Sequence, residues 1–365
     1  MRRACRVTLK FSTAAKRRRI RALVTEYRAA VNVFIRRIWK NGGAKLNKET
    51  LDSLPDMHLT QRLKSQCLKQ ALEIVVSTKK SAKALKKKCS RPVFRGWPVL
   101  DAKFVGVEPG RKSFDLVVKV STLKKGRRVV VPTRRTSHLN KWLEKPGAKL
   151  IQGCELRYDT AILWVELPDL EPEVKSVKEA DPSKVLGLDI GVTRLLVDSN
   201  GNEYGTNSSE IYTPLKQKRR RRRRTRARTR ARNRRDAWIE ETINSLPWGT
   251  FKVLVVEDIR DIKRGRKKNR GRSFRRSVAP WRARRVLARI GHRCEENRVL
   301  FVTVPPAHTS QACPICGGID KRNRSGTSFR CVGCGHTADA DFVGATNIRW
   351  IGLGGSLESP QTQRF

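Results

Sequence analysis

The chain has 365 residues, enough for two or three domains, and carries 81 Lys and Arg against 33 Asp and Glu, a formal charge of +48. An enzyme of small metabolites has no use for such self-repulsion, so a polyanionic partner that neutralises it is expected, and that partner is nucleic acid. A basic surface of the ribosomal or chromatin kind is the plain alternative, and it also means nucleic acid. No apolar run approaches the ~20 residues of a membrane helix, so no membrane partner is expected. Nine cysteines, an odd number, and no apolar segment after Met1-Arg2-Arg3 point to a reducing cytosol or nucleoid, with metal rather than disulfides using clustered thiols.

In chain order, residues 4–11 alternate like a strand. Ile20, Leu23, Val24, Tyr27, Val31, Phe34, Ile35 and Ile38 then recur at helical spacing, and Leu59, Leu63, Leu68, Leu72, Val75, Ala82 and Leu85 repeat the pattern. Residues 12–90 thus read as a helical domain with basic outer faces. From 91 to 170 the period changes to two, and runs beginning at Phe114, Arg128, Leu150 and Ala161 read as strands of a small antiparallel barrel or sandwich. The strand at 4–11 could complete it, which makes the helical domain an insertion. Residues 171–182 read as a linker. A third unit opens with strand 185–190, followed by strands near 193–198 and 202–206 around the hairpin signal Asn200-Gly201. In residues 216–235, Lys or Arg fills 14 of 20 positions. Ala227, Ala231, Trp238, Ile239, Ile243 and Leu246 continue from there at roughly helical spacing. Strand 251–257, a basic segment at 260–276, a helix at 280–297, strand 299–304 and a helix at 341–351 complete the pattern. The segment 353–365 reads as a disordered tail.

Cys313-Pro-Ile-Cys316 and Cys331-Val-Gly-Cys334 form two CxxC knuckles with 14 residues between them. Each presents two thiolates, with Gly317 and Gly335 following where left-handed backbone is needed. All four positions of a tetrahedral Zn²⁺ are filled, so the site reads as closed and structural; a redox dithiol is the weaker alternative. Histidines 308 and 336 are not needed as ligands.

Three acids stand out against the basic background. Asp189 lies in Val185-Leu-Gly-Leu-Asp189-Ile-Gly191, and Glu257 ends Val253-Leu-Val-Val-Glu257. Each run is apolar on both faces, as in a central strand. A carboxylate there is costly unless a cation compensates it. Asp341 opens a helix, where the dipole favours an anion, and Asp339 competes with it for that place. Taken singly, strand-end acids are most often turn or capping residues. Together they can hold two Mg²⁺ ions, with Mn²⁺ as a substitute, for hydrolysis of a phosphodiester.

These residues resemble TnpB, the nuclease family of bacterial insertion sequences from which type V CRISPR effectors descend. Gly187-Leu-Asp189-Ile-Gly191-Val, Val255-Val-Glu257-Asp258, Thr309-Ser-Gln-Ala-Cys313-Pro-Ile-Cys316-Gly, Phe329-Arg-Cys331-Val-Gly-Cys334-Gly and Asp341-Phe-Val-Gly-Ala345-Thr-Asn347-Ile348 carry the resemblance, over about 183–350. It implies an α+β multidomain chain. A wedge-like antiparallel β-barrel would occupy 1–11 and 91–170, with a helical recognition domain at 12–90. A RuvC-like nuclease domain of RNase H fold would occupy 183–306 and 339–352, with an inserted zinc ribbon at 307–338. The implied metal-binding triad is Asp189, Glu257 and Asp341. The implied partners are a guide RNA from the transposon end, one protein per RNA, and double-stranded target DNA beside a short flanking motif, in the cytoplasm or nucleoid of a prokaryote. The family commonly has Asn-Ala-Ala where this chain has Val343-Gly344-Ala345, and Tyr where His308 stands. Arg219, Arg220, Arg221, Arg222, Arg223, Arg224, Arg228 and Arg232 are candidates for nucleic-acid contact, and the basic segment near 263–276 for a lid. A guide-free nuclease, a transposition accessory, a compact type V effector and a binding-only zinc protein remain open as alternatives.

Overall fold

The computed structural model describes residues 1–40, 58–84, 88–217, 226–259 and 281–358. The chain divides into two compact units, Met1–Asp169 and Leu170–Phe365.

In the first unit, β1 (Arg2–Thr8) pairs antiparallel along its whole length with β7 (Thr160–Glu166), from Arg2 opposite Glu166 to Thr8 opposite Thr160. Between them in sequence come the helices α1 (Ala14–Lys40) and α2 (Gln61–Ala84). Every apolar residue that set the period of α1, from Ile20 to Ile38, is buried, and Leu63, Cys67, Leu68, Ala71 and Val75 of α2 are buried too. Charged positions between them stay outside, so packing of one apolar stripe rather than propensity holds these helices.

The remaining strands of this unit are β2 (Val99–Asp101), β3 (Val105–Pro109), β4 (Leu116–Ser121), β5 (Arg128–Thr133) and β6 (Lys149–Leu156), with a short helix α3 (Ser137–Leu143) before β6. They do not close a barrel. Among the described residues they form two open sheets, β1-β7-β6-β2 and β3-β4-β5, over one shared apolar core. The break has a local cause. The β6–β7 ladder is irregular between Ile151 and Glu155, and Gly153 there takes a left-handed φ of 122°. Such a bulge removes main-chain partners. The Gln152 side chain spans the gap, donating to the Val107 carbonyl at 2.9 Å and accepting from its amide at 2.6 Å. An amide side chain, rather than a main-chain ladder, thus joins β6 to β3.

The second unit is built on a five-stranded sheet of order β10-β9-β8-β11-β12, with β8 (Val185–Ile190), β9 (Leu196–Asp198), β10 (Glu203–Tyr204), β11 (Val253–Glu257) and β12 (Leu300–Val304). β8, β11 and β12 run parallel, while β9 and β10 return antiparallel. Strand alternation divides the sheet into two faces. Leu186, Leu188, Ile190, Leu254 and Val256 pack with α4 (Ser208–Gln217), α5 (Arg226–Asn244) and α6 (Ala283–Glu296). Val185, Val253 and Val255 face the other way, toward α7 (Ala340–Gly352). Among the described residues, no helix is long and apolar enough to cross a membrane.

A three-stranded sheet, β13 (Arg324–Ser325), β14 (Ser328–Arg330) and β15 (Thr337–Asp339), lies between β12 and α7 in the chain. Its apolar cluster holds only Cys313, Phe329, Cys331, Ala340 and Val343, too few to support it alone.

Candidate nuclease centre and zinc site

The alternation that buries Val185 and Val253 toward α7 also fixes the acids. Asp189 shares the face of Val185 and Gly187, and Glu257 shares that of Val253 and Val255. The parallel register pairs Val253 with Val185 and Val256 with Leu188, so the next step sets Glu257 beside Asp189. Asp341 is the second residue of α7 over the same face. A Cβ added at Gly187 would lie 2.2 Å from the Ala345 carbonyl oxygen and 2.7 Å from the Arg349 nitrogen. The missing side chain is therefore what lets α7 rest on β8.

The electrostatics of Asp189 and Glu257 follow from this placement. Burial pushes the Asp189 carboxyl well above the ordinary carboxylate range, and the negative charges of Glu257 and Asp341 push it further, while Arg324 opposes them. Burial also raises Glu257, against the hydroxyl of Thr309, which donates to its Oε1, and the charge of Arg324. Asp341 is held differently. Its Oδ2 accepts from Arg194 Nε at 3.1 Å and Nη2 at 2.7 Å, and its Oδ1 accepts from Arg324 Nη2 at 2.8 Å. Arg194 also reaches Asp339 at 2.8 Å and Glu203 at 2.6 Å. Burial disfavours its charge, but these bonds outweigh that and hold its pKa up.

Among the described residues, the three carboxylates do not form a cluster with all ligand oxygens within 4.8 Å of one another; the four cysteines are the one such group. The Asp341 carboxylate is engaged by Arg194 and Arg324 on its two oxygens. The donors nevertheless suit Mg²⁺ or Mn²⁺, being oxygen only and carrying negative charge that Asp189 and Glu257 bury at a cost.

Asp339 does not share this position. It caps α7, accepting at Oδ1 from the Asp341 amide at 2.9 Å and the Phe342 amide at 3.1 Å. A further acid, Asp198, is fully buried and occupied by the Asn200 and Asn202 amides and the Tyr204 hydroxyl in the β9–β10 turn. Arg194, Arg324, Thr309 and Asn347 surround the acids, and none of them is marked for that place by composition or periodicity. Thr309 and Asn347 stand in the motifs that carry the resemblance, but the two arginines have no local signal at the acids, because the Asp339 and Asp341 carboxylates they hold lie 17 to 147 residues away.

In the ribbon, Cys313 Sγ lies 3.6 Å from Cys334 Sγ, and Cys316 Sγ lies 3.5 Å from Cys331 Sγ. A tetrahedron with ~2.3 Å arms has edges of about 3.8 Å, so these thiols fit Zn²⁺ with little movement. Gly317 and Gly335 take φ of 74° and 76°, as each knuckle requires. Burial opposes ionisation at Cys331, yet the Cys334 and Gly333 amides and the neighbouring thiols outweigh it and bring that thiol down to about 7. Neither His308, whose Nδ1 lies 3.1 Å from Gln311 Oε1, nor His336, which faces Phe329, joins the cluster. Stripping zinc with a chelator is expected to release one ion per chain and unfold the ribbon, since such sites bind with about 10–16 kcal/mol near neutral pH. A colorimetric zinc assay beside a thermal scan checks this; an unchanged scan after zinc release would contradict it.

Gly344 stands in the interior of α7, where glycine costs about 1 kcal/mol relative to alanine. A Cβ there would meet Asp189 Cγ at 3.5 Å, an ordinary contact. Gly344→Ala is therefore expected to stabilise the protein by about 1 kcal/mol. A thermal unfolding scan beside the parent measures the effect, and a lowered melting temperature would contradict it.

Of the basic candidates, Arg219, Arg220, Arg221, Arg222, Arg223 and Arg224 lie outside the described residues, as do the side chain of Arg228 and the segment near 263–276. Arg232 is half-buried on α5.

The sequence of this region matches known proteins. Residues 284–348 match the family model described as "Cas12f1-like, TNB domain". A segment of 101 residues is 34% identical to the CRISPR-associated endodeoxyribonuclease Cas12f1 of Sulfoacidibacillus thermotolerans, covering 27% of this chain and 21% of that protein. A segment of 48 residues is 52% identical to "Putative RNA-guided DNA endonuclease InsQ" of Escherichia coli (strain K12), covering 13% of this chain and 12% of the other. The chain thus aligns with about a fifth or less of the length of these relatives. Solved structures give looser likenesses. A Cas12f1–sgRNA–target DNA complex has a TM-score of 0.49 at 14% identity, over 92% of this chain and 82% of that one. A CRISPR-Cas12f ternary complex has a TM-score of 0.34 at 15% identity, over 90% and 80%. The matched sequences bear out the resemblance: the chain is TnpB-like, with the matched family model spanning the four cysteines and Asp341. Its relatives are named as RNA-guided or CRISPR-associated DNA endonucleases.

Proposed function

We propose that this chain is an RNA-guided DNA endonuclease of a transposon, acting in the cytoplasm or nucleoid of a prokaryote. A guide RNA from the transposon end would bring it, one protein per RNA, to double-stranded DNA beside a short flanking motif. Sequence would be read chiefly by base pairing, with the protein gripping backbone and flank. The nuclease domain would be RuvC-like, over 183–306 and 339–352, and the ribbon at 307–338 would be held by structural Zn²⁺ on Cys313, Cys316, Cys331 and Cys334. The observation that supports this reading is that Asp189 and Glu257 lie on neighbouring parallel strands under the helix that Asp341 opens.

In this reading the three acids hold two Mg²⁺ ions. Metal bound there supplies Lewis acidity and an ionised water for phosphodiester hydrolysis. The chain's own contribution is placement. β8 and β11 fix two carboxylates side by side, α7 brings the third, and Arg194 and Arg324 balance the negative charge around Asp341. The charge of +48 favours the approach of a polyanion to the whole surface.

A compact type V CRISPR effector is the second reading, favoured by the identity to Cas12f1. Sequencing the RNA that copurifies with the protein separates the two: transposon-end RNA supports the first and CRISPR-repeat RNA the second. Cutting at the guided target that survives RNase treatment of the purified particle would leave a guide-free nuclease instead.

A further inference from the structure

We propose that Thr309 is a positioning residue for Glu257 and ties the zinc ribbon to the nuclease acids. Thr309 is 2% exposed, and its hydroxyl donates to Glu257 Oε1. That bond leaves Oε2 as the oxygen able to face a cation. Thr309 itself is held from two sides. The fully buried Asn347 of α7 donates through Nδ2 to the Thr309 carbonyl at 2.7 Å and to the Ala312 carbonyl at 2.9 Å. Ala312 is the residue before the first zinc ligand, Cys313. The turn between is closed on the His308 carbonyl, which accepts from the Gln311 and Ala312 amides, both at 2.9 Å, with His308 at a left-handed φ of 63°.

One hydroxyl thus joins the end of β11, the first knuckle and α7. Threonine suits the place. Its branched side chain has few rotamers, so fixing the backbone fixes the direction of the hydroxyl. Partners of this kind orient a ligand and commonly change metal affinity by 10–100-fold when removed. The ribbon, which has too small a core of its own, therefore acts on the cutting centre through a bond that requires the knuckle to be folded.

This inference rests on the reading of Asp189, Glu257 and Asp341 as a metal centre. Its test uses the full-length protein with Mn²⁺ as the probe, bound ion being counted by electron paramagnetic resonance without any cutting reaction. Thr309→Val keeps the shape and removes the donor; Thr309→Ser keeps the donor. The valine variant is expected to bind Mn²⁺ about tenfold or more weakly, with its zinc content and nucleic-acid binding unchanged. The serine variant is expected to bind it nearly as the parent does. If Thr309→Val binds Mn²⁺ like the parent while Asp189→Asn abolishes binding, the role of Thr309 is overturned and the metal centre stands. If Asp189→Asn also leaves Mn²⁺ binding unchanged, the metal-centre reading is overturned and this inference with it. Equal weakening by serine and valine would assign the effect to packing and overturn the role of the hydroxyl.

Discussion

Asp189→Asn is expected to abolish DNA cutting and, in the same protein, to raise the melting temperature of the metal-free form at neutral pH. The two effects have one source. Burial and the neighbouring acids raise the Asp189 pKa in the folded chain, so the folded state binds its proton more tightly than the unfolded state does. The stability contributed by such a group is fully present below the unfolded pKa of about 3.9 and is lost as pH rises through the folded value. At neutral pH the metal-free parent carries that cost, and asparagine removes it. Each kcal/mol recovered corresponds to about 2–4 °C for a unit of this size. The gain should shrink toward pH 4, and it should also shrink when Mg²⁺ neutralises the parent. In the proposed reading, cutting depends on the same charge. Loss of one metal-binding carboxylate removes several kcal/mol of transition-state stabilisation, about a thousandfold or more in rate, while guide and target binding stay within twofold. Thermal scans across pH, with and without Mg²⁺, and single-turnover cleavage measure both. A variant that cuts normally, or that melts lower at neutral pH, would contradict the account.

Gly187→Ala is expected to be nearly as damaging to cutting, from one added methyl group with no charge. The new Cβ would overlap backbone atoms of α7, at 2.2 Å from an oxygen and 2.7 Å from a nitrogen, and backbone cannot swing aside as a side chain can. The helix must lift or β8 must bend. Overpacking of this kind costs about 1–3 kcal/mol or more. The same movement separates Asp341 from Asp189 and Glu257, and displacements near 1 Å at a reacting centre cost about a hundredfold in rate. A melting temperature lowered by several degrees together with a collapse of cutting is the expected pair of results. Parental values of both would mean that α7 does not bear on β8 as described.

Much of this was legible because periodicity reports on burial. The stripe from Ile20 to Ile38 gave α1, and the two-faced apolar runs gave β8 and β11 with their acids at or near the ends. Cysteine spacing gave the ribbon, because four thiols must fit one tetrahedron. Other features had no local trace. The open pair of sheets turns on the bulge between Ile151 and Glu155, and a pattern of period two carries no sign of where a ladder is interrupted. The seven-residue α3, capped by Thr136, is too short for a helical period to emerge from the strands around it. Asp339 and Asp341 look equivalent along the chain. The geometry of a helix start separates them, one oxygen of Asp339 being taken by the two amides it caps.

The seating of α7 on β8 has a consequence for the order in which a growing chain acquires its chemistry. Asp189 and Glu257 leave the ribosome well before residue 340, so a nascent chain can form the central strands while the surface that α7 will cover is still bare. Until that helix has been synthesised and docked, the third acid is absent, and the hydroxyl beside Glu257 lacks its buried amide anchor. An incomplete translation product therefore carries Asp189 and Glu257 on paired strands with neither Asp341 nor the helix that covers them.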